Sequence, residues 1–497
     1  MTAAAAIAVG ELVAGVVPGA RSLVVAVGDQ VIDLVPSGAK EFAVAAFGTN
    51  DKTALLVGIG VLLTGFAAVI GLAAARRFSL GAGGVVIFGL IGIAAAANQT
   101  FGASVGVAIL PGLVATAAGV AALRYLLAPL TPPSASPTGR KSDRRGFLRA
   151  AGVVTALAAA AGTSGRLLQR RMSAVASRAK VVLPSPVRRL PPIPAAVTVD
   201  AEGIHPFVTP NAEFYRIDTA LQVPSVPVES YRLRVTGMVD NPLELSFAEL
   251  AAMELIETDV TLACVSNEVG GRLVGNARWL GVRMSDVLER AGLQKGATQI
   301  VGRSVDGYTC GFPVEAGLDG RDAIIAIGMN GEPLPLEHGF PARLVTPGLY
   351  GYVSATKWLS EIELTTFDAF DQYWVRRGWA EQAPIKTQSR IDVPRGFMQL
   401  RPGRVAVAGV AWAQTRGIER VEVQVDDGPW AQARLAEELG VMTWRQWQYE
   451  WDATPGLHQL RVRATDATGQ TQEEKRLPPF PDGATGWHSV SVTVTPG

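Results

Sequence analysis

The first quarter of the chain alternates long apolar runs with short polar breaks. Each of the three longest runs is about long enough to cross a hydrocarbon core of ~30 Å as a helix. These runs are residues 54–75, 80–97 and 105–127. Residues 3–17 form a further apolar run, interrupted by Glu11, which we interpret as another membrane helix. The pattern predicts an N-terminal α-helical membrane anchor over residues 1–130.

Polar and basic residues dominate the next segment, residues 131–200. In it, Arg144 and Arg145 are followed by a Phe-Leu pair and by a short apolar stretch over residues 150–162. This combination resembles a twin-arginine export signal and predicts a further membrane helix. An ordinary basic anchor before a membrane helix is the alternative. Residues 169–203 are basic and proline-rich, so we interpret them as an extended tether.

Cationic residues flank the apolar runs in a consistent way. Arg76, Arg77 and Arg124 follow predicted helices, and a basic cluster from Arg140 to Arg149 precedes the last one. By the positive-inside rule, these residues belong on the cytoplasmic side. We therefore predict a multi-pass protein of a bacterial cell membrane, with its later part extracytoplasmic.

From residue 204 onward the chain has the pattern of a soluble protein. Short β-type runs alternate with a few helical ones, such as residues 284–291, which indicates an α+β region over residues 201–388. After residue 391 the pattern is of strands alone, with alternating apolar positions and an Asp-Asp-Gly turn at residues 426–428. Residues 389–497 are therefore predicted to form an immunoglobulin-like β-sandwich.

Composition excludes several classes of protein. The net charge of +1 gives no reason to expect nucleic acid as a partner. Two cysteines without a Cys-x-x-Cys spacing exclude a disulfide framework, a c-type haem and an iron–sulfur cluster with its usual ligands. The four histidines lie outside the predicted membrane helices, so we expect no haem there. They are His205, His338, His458 and His488.

The most informative stretch contains one of the two cysteines. An apolar run ends at Cys264 and enters a turn that contains Asn267, Gly270 and Gly271. A thiol at a strand-to-turn junction suits a metal ligand or a nucleophile. A small buried side chain is the alternative for Cys264, and it is our expectation for Cys310.

From Phe207 to the C-terminus the chain resembles the sulfite oxidase family of molybdenum–molybdopterin enzymes. Several motifs carry the resemblance in the family's order. They are residues 209–215, 261–271, 276–279, 329–343 and 347–358, and the last strands with residues 463–466 resemble the family's dimerisation domain. The membrane part lies outside the resemblance. The family implies a sulfite-oxidase-type molybdopterin domain over residues 201–388 and a dimerisation-type domain over residues 389–497.

The resemblance also implies roles for individual residues. Cys264 matches the cysteine that binds the metal, which agrees with the pairing of molybdenum and soft thiolate sulfur. Tyr308 matches a tyrosine of the substrate pocket. The remaining matches are to the cofactor: His338, Arg343 and Lys357 hold the pterin phosphate, Ser354 and Thr356 add donors, and Asn211, Phe214, Tyr215 and Asn267 complete the cofactor site.

The departures from the family pattern concern the substrate. Sulfite oxidases place arginines where this chain has Glu268 and Val269, and where it has Pro210. A carboxylate in that place would repel sulfite, and Arg272 could restore some positive charge. The sequence therefore predicts reduction of an S- or N-oxide by two-electron oxygen-atom transfer. Sulfite oxidation and a non-catalytic membrane-bound binding module are the alternatives.

The expected cofactor is molybdenum–molybdopterin. The expected partners are a small oxo donor or acceptor, the membrane, and a separate electron carrier, either the quinone pool or a cytochrome. A homodimer through the C-terminal region is a possible assembly.

Overall fold

The computed structural model describes residues 1–17, 20, 22–34, 51–98, 105–130, 144–171, 174–220 and 222–495. The chain forms two compact units. The first contains Met1–Ala176 with Thr219–Ser225, and the second contains Ser177–Asp218 with Val226–Gly497. The chain first passes from one unit to the other between Ala176 and Ser177.

The first unit is helical in its described residues. Four of its helices contain segments that are long enough and apolar enough to cross a membrane: Val57–Arg76, Phe78–Ala97, Val105–Leu127 and Arg144–Gly165. The helices are α1 (Thr2–Val16), α2 (Leu23–Leu34), α3 (Asp51–Arg76), α4 (Phe78–Ala97), α5 (Val105–Leu127) and α6 (Arg144–Arg171), followed by α7 (Ala174–Arg178).

One detail differs from the predicted anchor. Helix α1 has 15 residues, fewer than the ~20 that a membrane crossing requires, so three long apolar helices lie within residues 1–130 and the fourth begins at Arg144. Of the predicted linker segment over residues 131–200, the part 131–143, with Arg140 and Lys141, lies outside the described residues.

Small residues let the long helices approach each other closely. A side chain at Gly81 of α4 would overlap Ala74 of α3, and one at Gly89 of α4 would overlap Thr116 of α5. Contacts between small residues are how apolar helices pack when lipid removes the hydrophobic driving force. The glycine and alanine content of these helices therefore has a packing role.

The second unit begins with an α+β region that contains two sheets. Their strand orders are β2–β1–β10–β5–β6 and β3–β4–β7–β8, with β9 also paired to β7. The strands are β1 (Arg232–Gly237), β2 (Leu243–Ser246), β3 (Leu255–Ala263), β4 (Val274–Arg283), β5 (Gln299–Ser304), β6 (Thr309–Pro313), β7 (Ile324–Met329), β8 (Glu332–Pro333), β9 (Arg343–Val345) and β10 (Leu359–Thr365). The helices are α8 (Phe247–Ala251), α9 (Met284–Ala291), α10 (Val314–Leu318) and α11 (Gly351–Ser354).

Helix α9 shows why the local sequence adopts its observed structure. Its buried residues Met284, Val287, Leu288 and Ala291 recur at helical spacing and pack into the core of the region. The helix ends at Gly292, whose φ of 70° is the left-handed conformation that favours glycine. The predicted helix over residues 284–291 is confirmed.

The C-terminal part is a β-sandwich. One sheet has the order β11–β13–β17–β16 and the other β12–β19–β18–β14–β15, and a common core lies between them. Alternation along β17 buries Trp447 and Trp451 in this core. The strands are β11 (Gln388–Val393), β12 (Gln399–Leu400), β13 (Gly403–Trp412), β14 (Ile418–Val425), β15 (Ala431–Gln432), β16 (Arg434–Leu435), β17 (Arg445–Ala453), β18 (Gly456–Asp466) and β19 (His488–Val494). The immunoglobulin-like type stays a prediction.

The sandwich and the α+β region share a hydrophobic core. Val410, Trp412 and Trp444 of the sandwich belong to the same buried cluster as the strands of the α+β region. Trp444 also donates its indole N–H to the carbonyl oxygen of Phe207 at 2.9 Å. The two predicted domains therefore form one compact unit, and β11 begins at the predicted boundary.

Candidate active site

Cys264 lies at the end of β3, where the chain enters a tight turn. Its side chain is buried, and its N–H donates to the carbonyl oxygen of Leu273 at 2.9 Å. Asn267 closes the turn, because its N–H donates to the Cys264 carbonyl at 3.0 Å and its Oδ1 accepts from the Leu273 N–H at 2.8 Å. The backbone therefore holds the thiol in one place.

The charge state of Cys264 depends on its surroundings. Burial raises the pKa of the thiol, while hydrogen bonds from Ser266 and the charge of Lys357 act in the opposite direction. Among the described residues, no three His, Cys, Asp or Glu side chains gather where they could hold a metal ion. A metal at Cys264 would have to bring most of its ligands with it, and it would hold the sulfur as a thiolate.

Three tyrosines interact electrostatically with Cys264. Burial raises the pKa values of Tyr215, Tyr308 and Tyr350, that of Tyr350 to about 12, and Cys264 adds to each shift. These phenols keep their protons at neutral pH. The Tyr308 hydroxyl donates to the carbonyl oxygen of Tyr352 at 2.7 Å, which fixes the orientation of its ring.

Arg343 is a buried guanidinium for which the described part of the chain supplies no carboxylate partner. It is 5 % exposed, and its N–H groups donate to the carbonyl oxygens of His338 at 3.1 Å, Leu344 at 3.3 Å and Ala355 at 3.5 Å. Among the described residues, none forms an ion pair with it, and burial lowers its pKa to about 10. A buried cation that lacks a counter-ion costs free energy, and a bound anion would remove that cost. Arg343 is therefore a good candidate for holding a phosphate.

His338 lies beside Arg343 and is neutral at physiological pH. Burial and then the charge of Arg343 lower its pKa to about 4. Its Nε2 is 3.0 Å from the carbonyl oxygen of Asn211, so a neutral ring donates there. The Asn211 side chain in turn donates to Glu332 at 2.5 Å and accepts from Asn330 at 2.8 Å. Asn211 and His338 thus order one wall of the site together.

Lys357 differs from Arg343 because it has a counter-ion. Its Nζ lies 2.8 Å from Oδ2 of Asp218 and donates to the carbonyl oxygen of Glu337 at 3.1 Å. Burial lowers its pKa to about 8, and Asp218 opposes that shift. Asp218 was not predicted, because nothing in its local sequence marks it.

Aromatic rings cluster around Phe214, next to Arg343. Phe214 stacks on Tyr215 at 5.3 Å and meets Trp279 and His338 edge-on at 5.8 Å and 5.5 Å. The Arg343 guanidinium lies 5.0 Å from the centre of the Trp279 ring. A planar heterocycle that ends in an anionic group fits this combination of aromatic rings and a buried cation to which the described residues offer no counter-ion.

Ser354 and Thr356 use their hydroxyl protons within the protein. Ser354 donates to the carbonyl oxygens of Leu349 and Tyr350 at 3.2 and 3.1 Å. Thr356 donates to Sγ of Cys310 at 2.8 Å. Cys310 is a buried free thiol, as expected, and burial raises its pKa to about 11. The hydroxyl protons of Ser354 and Thr356 therefore already have acceptors in the structure. Their predicted role as donors to the cofactor stays a prediction.

The residues that replace the family's arginines differ in their positions. Glu268 and Arg272 are exposed, whereas Val269 is buried and adds no donor. The sequence analysis missed the cation Arg416. Its charge lowers the pKa of Tyr350, and it forms an ion pair with the buried Asp466 at 2.8 Å. The local sequence around Arg416 gave no signal, since its interaction with Tyr350 arises only through the tertiary fold.

Comparisons with known proteins agree with this site. Residues 220–374 match the family model described as "oxidoreductase molybdopterin binding domain". Human mitochondrial sulfite oxidase is 29% identical over an alignment of 342 residues, and the match covers 58% of this chain and 62% of that protein. The chain thus spans less than two thirds of that relative's length. An uncharacterized oxidoreductase of Bacillus subtilis, YuiH, is 34% identical over 176 residues, which are 35% of this chain and 85% of that protein.

A solved structure supports the fold. The sulfane dehydrogenase SoxCD from Paracoccus pantotrophus superposes with a TM-score of 0.52 at 22% identity, covering 62% of this chain and 87% of that one. The domain match and these relatives support the class of a molybdopterin-dependent oxidoreductase over the alternative of a non-catalytic binding module. The chain belongs to the sulfite oxidase family of these enzymes.

Removing the charge of Arg343 and removing the charge of Asp218 should have different effects on stability. Arg343→Met removes an uncompensated charge, so we expect the free energy of unfolding of the cofactor-free chain to change by less than ~1 kcal/mol. Asp218→Asn leaves Lys357 and Arg216 without their shared counter-ion and should cost ~2–3 kcal/mol. All ten tryptophans lie between Trp279 and Trp487, so urea unfolding followed by tryptophan fluorescence reports on this part of the chain. An Arg343→Met loss as large as that of Asp218→Asn would contradict the assignment of Arg343 to an anion.

Proposed function

We propose that the chain is a membrane-anchored enzyme that reduces a neutral S- or N-oxide at a molybdenum–molybdopterin cofactor. The observation that carries the proposal is the set formed by the buried thiol of Cys264, the aromatic rings around Phe214 and the uncompensated guanidinium of Arg343. When bound, the cofactor supplies two-electron oxygen-atom transfer. Cys264 is assigned as the protein ligand of the metal, and Arg343 with His338 as the holders of the phosphate.

The remaining residues bind and orient. Phe214 and Tyr215 would lie against the pterin, and Asn211 and Asn267 order the loops that would surround it. Tyr308 is assigned to the substrate pocket, where its fixed phenol excludes water and orients the oxide. Lys357 adds positive charge at the phosphate end, moderated by Asp218.

Charge compensation supports a neutral substrate. Among the described residues, Lys357 is the cation whose charge lowers the pKa of the Cys264 thiol, and it is paired with Asp218. Arg416, near Tyr350, is paired with Asp466. Both cations thus have a carboxylate partner, and Lys357 shares its partner with Arg216, which lies 2.7 Å from the same oxygen of Asp218. A neutral oxide needs no cation. The similarity to human sulfite oxidase favours the second candidate, sulfite oxidation.

Steady-state kinetics separate the two candidates. We expect kcat/KM for sulfite, with an artificial electron acceptor, to be about 10²–10⁴-fold below the value of a sulfite-specialised enzyme. Each lost charge-assisted hydrogen bond costs ~1.5–3 kcal/mol, and two are missing. A neutral dialkyl sulfoxide or amine N-oxide, with a reduced viologen as donor, should be turned over well, and Cys264→Ala should abolish that turnover. Rapid sulfite oxidation at micromolar KM without measurable oxide reduction would favour the second candidate instead.

We further propose that the catalytic part is extracytoplasmic in a bacterial cell membrane. The four candidate spans and the arginines that flank them support this topology by the positive-inside rule. Export by the twin-arginine route would suit a protein whose cofactor is inserted in the cytoplasm. Electrons then pass to or from a separate carrier, the quinone pool or a cytochrome, and the sandwich offers a surface for a homodimer.

A reporter enzyme that is active only outside the cytoplasm tests this topology. Fused after Gly497, it should be active in the wild type and should lose most of its activity when Arg144 and Arg145 are both replaced by Lys. Replacing Arg76 and Arg77 by Lys is the matched control, because it keeps the charge at a site outside the signal. Wild-type activity of a cytoplasm-specific reporter at the same position would rule the topology out.

A further inference from the structure

We propose that the C-terminal sandwich is part of the metal-site scaffold, because His488 and Arg390 fix the turn that follows Cys264. The inference rests on the proposed role of Cys264 as metal ligand. It gives the sandwich a role in positioning the ligand that is separate from any role in dimerisation.

His488, the first residue of β19, packs directly on the turn. A side chain at Gly270 would overlap the imidazole ring of His488, so the ring lies against the α-carbon of that glycine. Gly270 also has a φ of 78°, a conformation that other residues adopt only with strain. The turn thus requires glycine at this position both for its backbone and for the space that His488 fills.

The orientation of His488 is fixed by a backbone hydrogen bond. Its Nδ1 accepts from the N–H of Ile391 in β11 at 3.0 Å, which places the ring proton on Nε2. Burial and the neighbouring charge of Arg390 lower its pKa to about 4. The contact with Gly270 is therefore the packing of a neutral, immobile ring.

Arg390 holds the next residue of the same turn. Its guanidinium is 3 % exposed and donates to the carbonyl oxygen of Gly271 at 2.9 Å. Its Nε is 2.6 Å from Oδ1 of Asp392, so its charge is compensated. Arg390 therefore acts as a rigid donor to the turn, in contrast to Arg343.

The sandwich also holds the strand on the other side of the cysteine. Thr261 of β3 donates its N–H to the carbonyl oxygen of Met442 at 3.0 Å, and its hydroxyl accepts from the N–H of Trp444 at 2.8 Å. Its carbonyl oxygen accepts from the side chain of Gln414 at 2.8 Å. Cys264 thus lies between two segments that the sandwich fixes, one before it and one after it. Substitution of a group that orients a metal ligand commonly lowers metal affinity or activity by ~10–100-fold.

The first test uses the reactivity of Cys264 in the full chain without cofactor. In His488→Ala, alkylation of Cys264 by a small thiol reagent should become about tenfold faster, equivalent to about 1.4 kcal/mol. Peptide mass spectrometry reads Cys264 and Cys310 separately, and the rate of Cys310 should not change. His458→Ala is the matched control, because His458 bonds Asp426 and Thr454 within the sandwich and should leave both rates as in the wild type.

A double substitution tests the contact itself. Gly270→Ala alone should speed the alkylation of Cys264. In the double variant with His488→Ala, the total acceleration should be smaller than the product of the two single accelerations, because the ring that overlaps the new methyl group is gone. Arg390→Lys provides a second variant that retains a cation for Asp392 but has a shorter reach to Gly271.

The holoenzyme supplies a readout that a merely structural role would not change. In His488→Ala, the electron paramagnetic resonance parameters of the molybdenum should shift and kcat should fall with KM little changed, while His458→Ala leaves both as in the wild type. Unchanged Cys264 alkylation and resonance in His488→Ala and Arg390→Lys would overturn the inference, and so would equal acceleration of Cys264 and Cys310. A wild type that binds no molybdenum would instead refute the proposed function, because the alkylation rates do not depend on the metal.

Discussion

The buried guanidinium of Arg343 is the constraint on which the site depends. Its only described partners are carbonyl oxygens and the Trp279 ring, so the folded protein keeps a desolvated charge without a counter-ion. Such a group lowers the stability of the empty protein and favours whatever anion enters. Lys357 differs, because it shares the carboxylate of Asp218 with Arg216. The difference between the two cations supports the proposal that the anion end of the cofactor lies at Arg343.

The opposite end of the site depends on backbone geometry. Cys264 leaves β3 in a turn closed by Asn267, and both sides of the turn are held by the sandwich. A metal–sulfur bond needs its ligand placed within about 0.5 Å, which loops alone rarely achieve. The shared core of the α+β region and the sandwich explains how a cysteine on a turn can meet that requirement.

The sequence predicted those features that local pattern determines. The apolar runs located the four candidate spans, alternation located the strands of the sandwich, and the motif around Cys264 located the thiol at a strand-to-turn junction. The pairing of Lys357 with Asp218 was not predictable, because 139 positions separate these residues and no local pattern connects them. The direction of the Thr356 hydroxyl, toward Cys310, likewise follows from tertiary packing. Family membership is confirmed, whereas the roles of individual residues stay predictions.

The most direct test of the account is the sulfur coordination of the metal, because the metal site is assigned to a single protein ligand. X-ray absorption at the molybdenum edge counts the sulfur atoms bound to the metal in the purified full chain. The account predicts that Cys264→Ser, with the cofactor still bound, has one metal-bound sulfur fewer than the wild type, and that Cys310→Ser has the same number as the wild type. An equal sulfur count in Cys264→Ser and the wild type would contradict the account.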